Sequence, residues 1–129
     1  MVKEFIKNDK KYWEFIRELR NHPEVKKGFI EQGYIDRFDH TLYMQRLGSQ
    51  FYVCLVNGEP AGYVGVIEDD IRVATHPDFQ KMGVASFMIN NLMERHPNSM
   101  AKVKIKNEAS LKLFESCGFT RKYYILEKE

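Results

Sequence analysis

The chain has 129 residues, 43% of them hydrophobic, and its 20 basic and 18 acidic residues leave a formal net charge of +2. This length indicates a single domain over residues 1–129, and the near balance of charge gives no electrostatic case for nucleic acid or a membrane surface as a partner. Cys54 and Cys117 predict neither a disulfide framework nor a zinc site, so no metal is expected. No stretch approaches the ~20 apolar residues of a membrane span, and we expect a cytoplasmic protein.

The first part of the chain predicts short helices separated by turns. Asn8 or Asp9 can cap the first of them, Pro23 suits the first turn of the second, and Gly48 ends the third. An irregular segment of this kind can form the wall or lid of a substrate site in an enzyme. We expect a strand at residues 2–7 and helices at residues 8–20, 23–32 and 39–47.

From residue 50 the pattern changes to β-prone runs with tight turns. The apolar run at residues 51–56 and the strand at residues 61–67 flank Asn57-Gly58, a strong hairpin signal, and a third strand follows at residues 71–75. We then expect a helix from about Met82, a strand at residues 101–106, a helix from Asn107 to Ser116 and a last strand at residues 119–127. The strand at residues 101–106 would lie parallel beside the strand at residues 71–75 through a right-handed crossover. The predicted fold is mixed α/β, with a mostly antiparallel central sheet and helices on both faces.

A strand–turn–helix junction at residues 71–86 predicts a phosphate site. Pro77 ends the strand because it has no N–H to give to a β ladder. Gly83 lies where the next helix begins, among residues without a capping side chain. Free N–H groups and the positive end of a helix dipole then point outward, and such a place binds phosphate. We therefore expect a phosphorylated cofactor at this junction.

Two motifs give this junction a family resemblance. Residues 75–85 (THPDFQKMGVA) resemble the acetyl-CoA signature of the GNAT superfamily of N-acetyltransferases, in which a proline ends the fourth strand and Gln/Arg-x-x-Gly-x-Gly/Ala opens the central helix. Residues 107–119 (NEASLKLFESCGF) are similar to the second family motif, an asparagine followed by a helix and a Gly-Phe pair. Because both motifs occur in the family's order and separation, the chain is identified as a GNAT-like domain over roughly residues 50–129.

The resemblance implies acetyl-CoA as the cofactor, bound where two parallel strands splay apart. A backbone N–H of the fourth strand would polarise the thioester carbonyl, the cofactor arm would pair with that strand, and the pyrophosphate would lie on the N–H groups from Lys81 to Ser86. Asn107 would cap its helix and face the pantetheine arm. The expected cofactor-binding residues are Val73, Ala74, Thr75, Gln80, Lys81, Met82, Gly83, Val84, Ala85, Ser86, Asn107, Ser110 and Phe114.

The proton donor departs from the family pattern, because Phe114 stands where many members carry a tyrosine that protonates the leaving thiolate. Tyr123 or Tyr124 on the predicted last strand, Cys117, Ser110 or a water could replace it, and a thiol can also leave unassisted. For the base that deprotonates the amine, Glu68, Asp69 and Asp70 precede the cofactor strand, and His76, His22 and His40 are further options. The catalytic residues we single out are Asp70, Asp69, Tyr124 and Tyr123.

These motifs predict an N-acetyltransferase that moves an acetyl group from acetyl-CoA to a primary amine of a small molecule, amino sugar or peptide, by direct attack in a ternary complex. Residues 20–25 (RNHPEV) are mildly similar to a stretch of GNAT enzymes that acetylate amino-sugar nucleotides, and residues 78–80 to one found in ribosomal-protein acetyltransferases. The alternative, suggested by Phe114, is a non-catalytic acyl-CoA sensor or interaction module. The expected partner is an amine substrate. The sequence does not distinguish a monomer from a homodimer, so a second copy of the chain is the other possible partner.

Overall fold

Four antiparallel strands make the central sheet in the computed structural model of the chain, which describes all residues from 1 to 129. They are β1 (Lys3–Lys7), β2 (Phe51–Val56), β3 (Glu59–Ile67) and β4 (Asp70–Thr75), side by side in the order β1-β2-β3-β4. Asn57-Gly58 joins β2 to β3 with positive φ at both residues, 50° and 84°, as two-residue hairpin turns often require. The predicted antiparallel meander is confirmed.

Five helices flank this sheet. They are α1 (Trp13–Asn21), α2 (Pro23–Lys26), α3 (Arg37–Leu47), α4 (Val84–Arg95) and α5 (Glu108–Ser116). Side chains cap three of them, because His22, Asp36 and Asn107 accept backbone N–H groups from the first turns of α2, α3 and α5. None of the helices is long and apolar enough to cross a bilayer.

Four helix bounds differ from the sequence prediction by two residues or more, and one is the start of the third helix, at Arg37 instead of Asp39, because Asp36 caps it. The first helix begins only at Trp13, after a 3-10 turn that Asp9 caps. The second ends at Lys26 instead of near residue 32, because Gly28 is a poor helix residue and its carbonyl accepts a hydrogen bond from Asn107 Nδ2 at 3.5 Å. The fourth begins at Val84 instead of Met82, since Gly83 before it has φ +73° and leaves the helical region.

Two hydrophobic cores, one on each face of the sheet, confirm the layered α/β arrangement. One core packs α4 and α5 against the sheet through residues such as Met88, Leu92 and Phe114. The other packs α1 and α3 through residues such as Leu19 and Met44. Because the sheet is covered on both faces, β2 and β3 are almost entirely apolar.

Two predicted strands, at residues 101–106 and 119–127, are not formed. A single parallel bridge joins Asp70 to Met100, after which the chain moves away from β4 and is held by side chains: Val103 packs on the core and Lys104 Nζ donates to the carbonyl of Lys27 at 3.1 Å. The tail after Phe119 then has no neighbouring strand with which to pair. The expected pair of parallel strands is therefore wrong in detail, and a cavity opens where the second strand would lie.

Candidate functional site

A cavity of about 1010 Å³ lies between β4, the start of α4, α5 and the segments at residues 20–30 and 102–107. Every predicted cofactor residue lines it except Met82, whose side chain is 40% exposed outside it. The two family motifs therefore meet around one space. Phe51 and Tyr63, from β2 and β3, extend the same cavity beneath α1.

Six consecutive backbone N–H groups, from Lys81 to Ser86, make no hydrogen bond. The chain reaches α4 through two left-handed residues, Lys81 with φ +63° and Gly83 with φ +73°. The first N–H groups of α4 thus point into the cavity with no internal acceptor, at the positive end of the helix dipole. Residues 81–86 therefore form a cradle of free N–H groups. Its geometry fits a phosphate group.

Basic side chains surround the cradle and the rest of the cavity. Lys3 from β1 brings its Nζ to 3.6 Å from the point where a Cβ on Gly83 would lie. The sequence near Gly83 does not predict this positive charge, because Lys3 is distant in the chain. The lining contains seven basic residues and two acidic ones: Arg20, Lys27, Arg72, Lys81, Lys102, Lys104 and Lys106 against Glu24 and Asp70. Such an excess of positive charge favours a polyanionic ligand.

The outer edge of β4 offers free backbone groups beside the cradle. His76 N–H donates to Ala61 O at 2.8 Å, so this residue faces β3. Along an antiparallel strand the backbone groups of successive residues face opposite sides. The backbone of Ala74 therefore also faces β3, while those of Val73 and Thr75 face the cavity. Thr75 also has a buried Oγ1 without any hydrogen-bond partner, which buried hydroxyls seldom show. An extended ligand with amide groups fits this edge.

The second motif shapes the opposite wall. Asn107 Oδ1 accepts the N–H of Ser110 at 3.1 Å, while its Nδ2 is turned to the carbonyl of Gly28. Its predicted role as a helix cap is therefore confirmed, and a contact with the cofactor arm stays a prediction. Phe114 is buried and packs edge-on against Phe119 with ring centroids 5.2 Å apart, so the wall is apolar at this position.

Of the four predicted catalytic residues, only Asp70 lines the cavity. Arg72 Nε donates to its Oδ2 at 3.2 Å. Asp69 lies in the β3–β4 turn with φ +64° and takes no part in the lining. Tyr123 and Tyr124 are 89% and 87% exposed in the extended tail, because the strand expected to carry them does not form.

Tyr63 is a cavity residue that sequence reasoning missed, since it lies within a run that reads as a core strand. It pairs with Ala74 across β3 and β4, lines the cavity and is almost fully buried. Burial raises the pKa of its phenol well above the ordinary range, and the positive charges of Arg20 and Arg72 only partly oppose that shift. Tyr63 therefore keeps its proton at neutral pH.

A phosphate cradle joined to an open strand edge, in a cavity walled by a second helix, defines an acyl-CoA-dependent transferase. Residues 12–119 match the model of the acetyltransferase (GNAT) family. The chain therefore belongs to the GNAT acetyltransferase family, whose members use acetyl-CoA. No curated protein matches the sequence.

Solved structures share the fold at low sequence identity. Spermidine N-acetyltransferase from Vibrio cholerae, in complex with CoA and spermine, has a TM-score of 0.83 at 18% identity, over 98% of this chain and 85% of that one. A GNAT-family acetyltransferase from Bacillus anthracis has a TM-score of 0.76 at 18% identity, over 96% and 83%. The ribosomal-protein-S18-alanine N-acetyltransferase from Escherichia coli has a TM-score of 0.68 at 15% identity, over 95% and 80%. At these identities the likeness shows the fold alone.

Proposed function

We propose that the chain transfers the acetyl group of acetyl-CoA to a primary amine by direct attack in a ternary complex. The observation that carries the proposal is the presence of two sets of free N–H groups within one basic cavity, those of the cradle and those of Val73 and Thr75 at the outer edge of β4. A pyrophosphate and an amide-bearing arm need such groups in this order. When bound, acetyl-CoA supplies an activated thioester.

The cradle and its lysines would hold the phosphates, while β4 would hold the cofactor arm. The N–H groups of Val73 and Thr75 face the cavity and are the candidates to polarise the thioester carbonyl. Ala74, the third residue predicted for this task, has its backbone turned toward β3. The partnerless Oγ1 of Thr75 would gain a partner from an amide of the arm.

Proton transfer needs a group that accepts the amine proton and a source for the thiolate proton. Asp70 is the predicted base that lines the cavity, held in place by Arg72, and it would take the proton directly or through a water. Tyr63 stays protonated and would donate a hydrogen bond toward the developing negative charge, while a water would supply the thiolate proton. Phe114 cannot donate, so Tyr63 replaces Tyr123 and Tyr124 as the favoured hydrogen-bond donor.

The acceptor class is the primary amine of a small molecule, amino sugar or peptide end. Two of the structural neighbours are named for amine acceptors, spermidine in one case and a ribosomal-protein alanine in the other. The segment at residues 20–30 lines the cavity, and an amine would enter along it. Cys54 and Cys117 are free thiols, which fits a reducing compartment such as the cytoplasm.

Calorimetric titration with acetyl-CoA tests the first half of this proposal, and thiol release with a panel of amines tests the second. Binding should saturate below about 1 mM cofactor, the upper end of usual KM values. No heat of binding at that concentration would refute the cofactor assignment. Asp70→Asn should lower kcat on the order of 100-fold while leaving cofactor affinity unchanged.

The second candidate is an acyl-CoA sensor, which the apolar wall at Phe114 and the exposed Tyr123 and Tyr124 favour. It predicts cofactor binding without turnover of any amine. The amine panel separates the two functions, because an enzyme should release thiol with at least one amine and lose part of that turnover in Tyr63→Phe, whereas a sensor should release none with either protein.

A further inference from the structure

Arg20, in the last turn of α1, presents an unneutralised charge to the cavity. It lines the cavity, and no carboxylate oxygen lies within 4.0 Å of its guanidinium nitrogens. The nearby arginines differ: Arg17 meets Glu14, and Arg72 meets Asp70 at 3.2 Å. A partly buried guanidinium without an acidic partner is a site for an anion that arrives from solution.

Two neutral aromatic side chains hold Arg20 in place. Its Nη1 lies 3.2 Å from His40 Nδ1, and its Cζ lies 4.6 Å from the centre of the Tyr43 ring. His40 Nε2 lies 2.8 Å from the carbonyl of Trp13, so that nitrogen must carry the proton and Nδ1 must accept from Arg20. Burial lowers the pKa of His40, which keeps the ring neutral. The support therefore fixes the guanidinium without cancelling its charge.

Neither acidic residue of the cavity is free to form an ion pair with Arg20. Asp70 accepts from Arg72 Nε at 3.2 Å, and Glu24 accepts from Lys27 Nζ at 2.9 Å. The phenol of Tyr63 is close enough for the charge of Arg20 to act on it, and burial keeps that phenol uncharged. The end of the cavity beneath α1 is thus cationic, although the acceptor amine must come to it uncharged to react.

We propose that the acceptor carries an anionic group, a carboxylate or a phosphate, and that Arg20 binds it while the amine faces β4. This proposal rests on the proposed acetyltransferase function and names its substrate class. The cofactor phosphates do not need Arg20, because the free N–H groups of the cradle, Lys3 and Lys81 are available to hold them. Arg20 is a specificity residue, and His40 and Tyr43 are positioning residues that act through it.

Matched pairs of amines test the proposal with the full chain and acetyl-CoA. Phosphoethanolamine is compared with ethanolamine, and phenylalanine with phenylalaninamide, so that the two arms separate phosphate from carboxylate. Spermidine serves as a polycation. Each is assayed by thiol release with wild type, Arg20→Gln, Arg20→Lys and Arg46→Gln. Arg46 is exposed and does not line this cavity, so its variant controls for the lost net charge.

The wild type should prefer the anionic member of at least one pair. Arg20→Gln should lower kcat/KM for that acceptor on the order of 100-fold and change it no more than about threefold for the neutral member. Arg20→Lys should recover part of the loss, since an ammonium keeps the charge without the planar fork. Arg46→Gln should behave as wild type, and acetyl-CoA affinity should be equal in all four proteins.

Three results would overturn the inference while the acetyltransferase function stands: preferred turnover of neutral or polycationic amines, an equal loss for both members of a pair in Arg20→Gln, or weaker acetyl-CoA binding in that variant. Cofactor binding without turnover of any amine overturns both proposals together. Thermal melting checks that Arg20→Gln is folded. If Arg20→Gln is not folded, Arg20→Lys decides the question. The ratio of its kcat/KM values for the anionic and neutral members of the preferred pair must then be smaller than the wild-type ratio.

Discussion

Replacing Gly83 with alanine should weaken acetyl-CoA binding through backbone strain and not through a collision. At Gly83 φ is +73° and ψ is 16°, a left-handed conformation that costs a residue with a Cβ about 1–2 kcal/mol. The new Cβ would find Lys3 Nζ at 3.6 Å and Ser86 Oγ at 4.0 Å, both ordinary contacts. The midpoint of thermal unfolding should therefore fall by roughly 3–8 °C.

The effect on the cofactor follows from how the strain relaxes. If the turn rotates away from the left-handed region, the N–H groups of residues 81–86 lose their common direction. A hydrogen bond to a charged group contributes about 1.5–3 kcal/mol. Losing one phosphate contact should then raise the Kd of acetyl-CoA about tenfold to 100-fold, a change that calorimetric titration measures directly.

Gly58→Ala is the matched control for this experiment. Gly58 has φ +84°, nothing lies within 4 Å of a Cβ placed there, and it occupies the β2–β3 turn outside the cavity. Its alanine variant should show a similar fall in the unfolding midpoint and an unchanged Kd. The reasoning fails if Gly83→Ala binds acetyl-CoA as tightly as wild type, or if both variants weaken binding equally.

Three other changes test the fold around the cavity. Thr75→Val removes a partnerless buried hydroxyl, so the free protein should melt no lower than wild type while acetyl-CoA raises its midpoint less. Gly62→Ala would place a Cβ 2.6 Å from the carbonyl oxygen of Ala74 and should lower the free energy of unfolding in urea by at least about 2 kcal/mol. Burial lowers the pKa of His40 in the folded protein, so the unfolded chain takes up a proton at a higher pH than the folded protein does. As the pH is lowered below about 6.5, the free energy of unfolding measured in urea should therefore decrease. His40→Gln should remove this dependence on pH.

The cofactor end of the cavity could be predicted because its information is local in sequence. Pro77 and Gly83 fix the strand end and the helix start within seven residues, and the free N–H groups follow from backbone geometry alone. The Asn57-Gly58 turn is local in the same way and sets β3 against β2. The structure therefore brings all but one of the predicted cofactor residues to one cavity.

The strand predicted at residues 101–106 shows what a local sequence pattern cannot predict, namely whether a strand finds a partner. The alternation of lysines with Val103 and Ile105 says which side chains can turn inward, and Val103 does pack on the core. It does not say that the backbone finds a partner. Strand pairing depends on a neighbour distant in the chain, and only Met100 reaches β4. The tail with Tyr123 and Tyr124 lacks a partner for the same reason.

The acceptor end escaped prediction because three distant elements build it. Arg20 comes from α1, its supports His40 and Tyr43 from α3, and Tyr63 from β3. The sequence offers His40 as a possible base and Arg20 within the mildly similar stretch at residues 20–25, but it does not place these two side chains together or bring Tyr63 to them. They meet because α1 and α3 pack on the face of the sheet that carries Tyr63 and Ala74.

The charge that an acceptor meets in this cavity depends on which side chains are already paired, and a list of the lining residues does not give it. Glu24 and Asp70 would suggest a partly acidic site able to hold a cationic amine. Lys27 and Arg72 each occupy one of them, while Arg20 rests on neutral rings. A chain with the same family motifs and a different partner for Arg20 would keep the cofactor and change the acceptor, since the motifs specify only the cradle end.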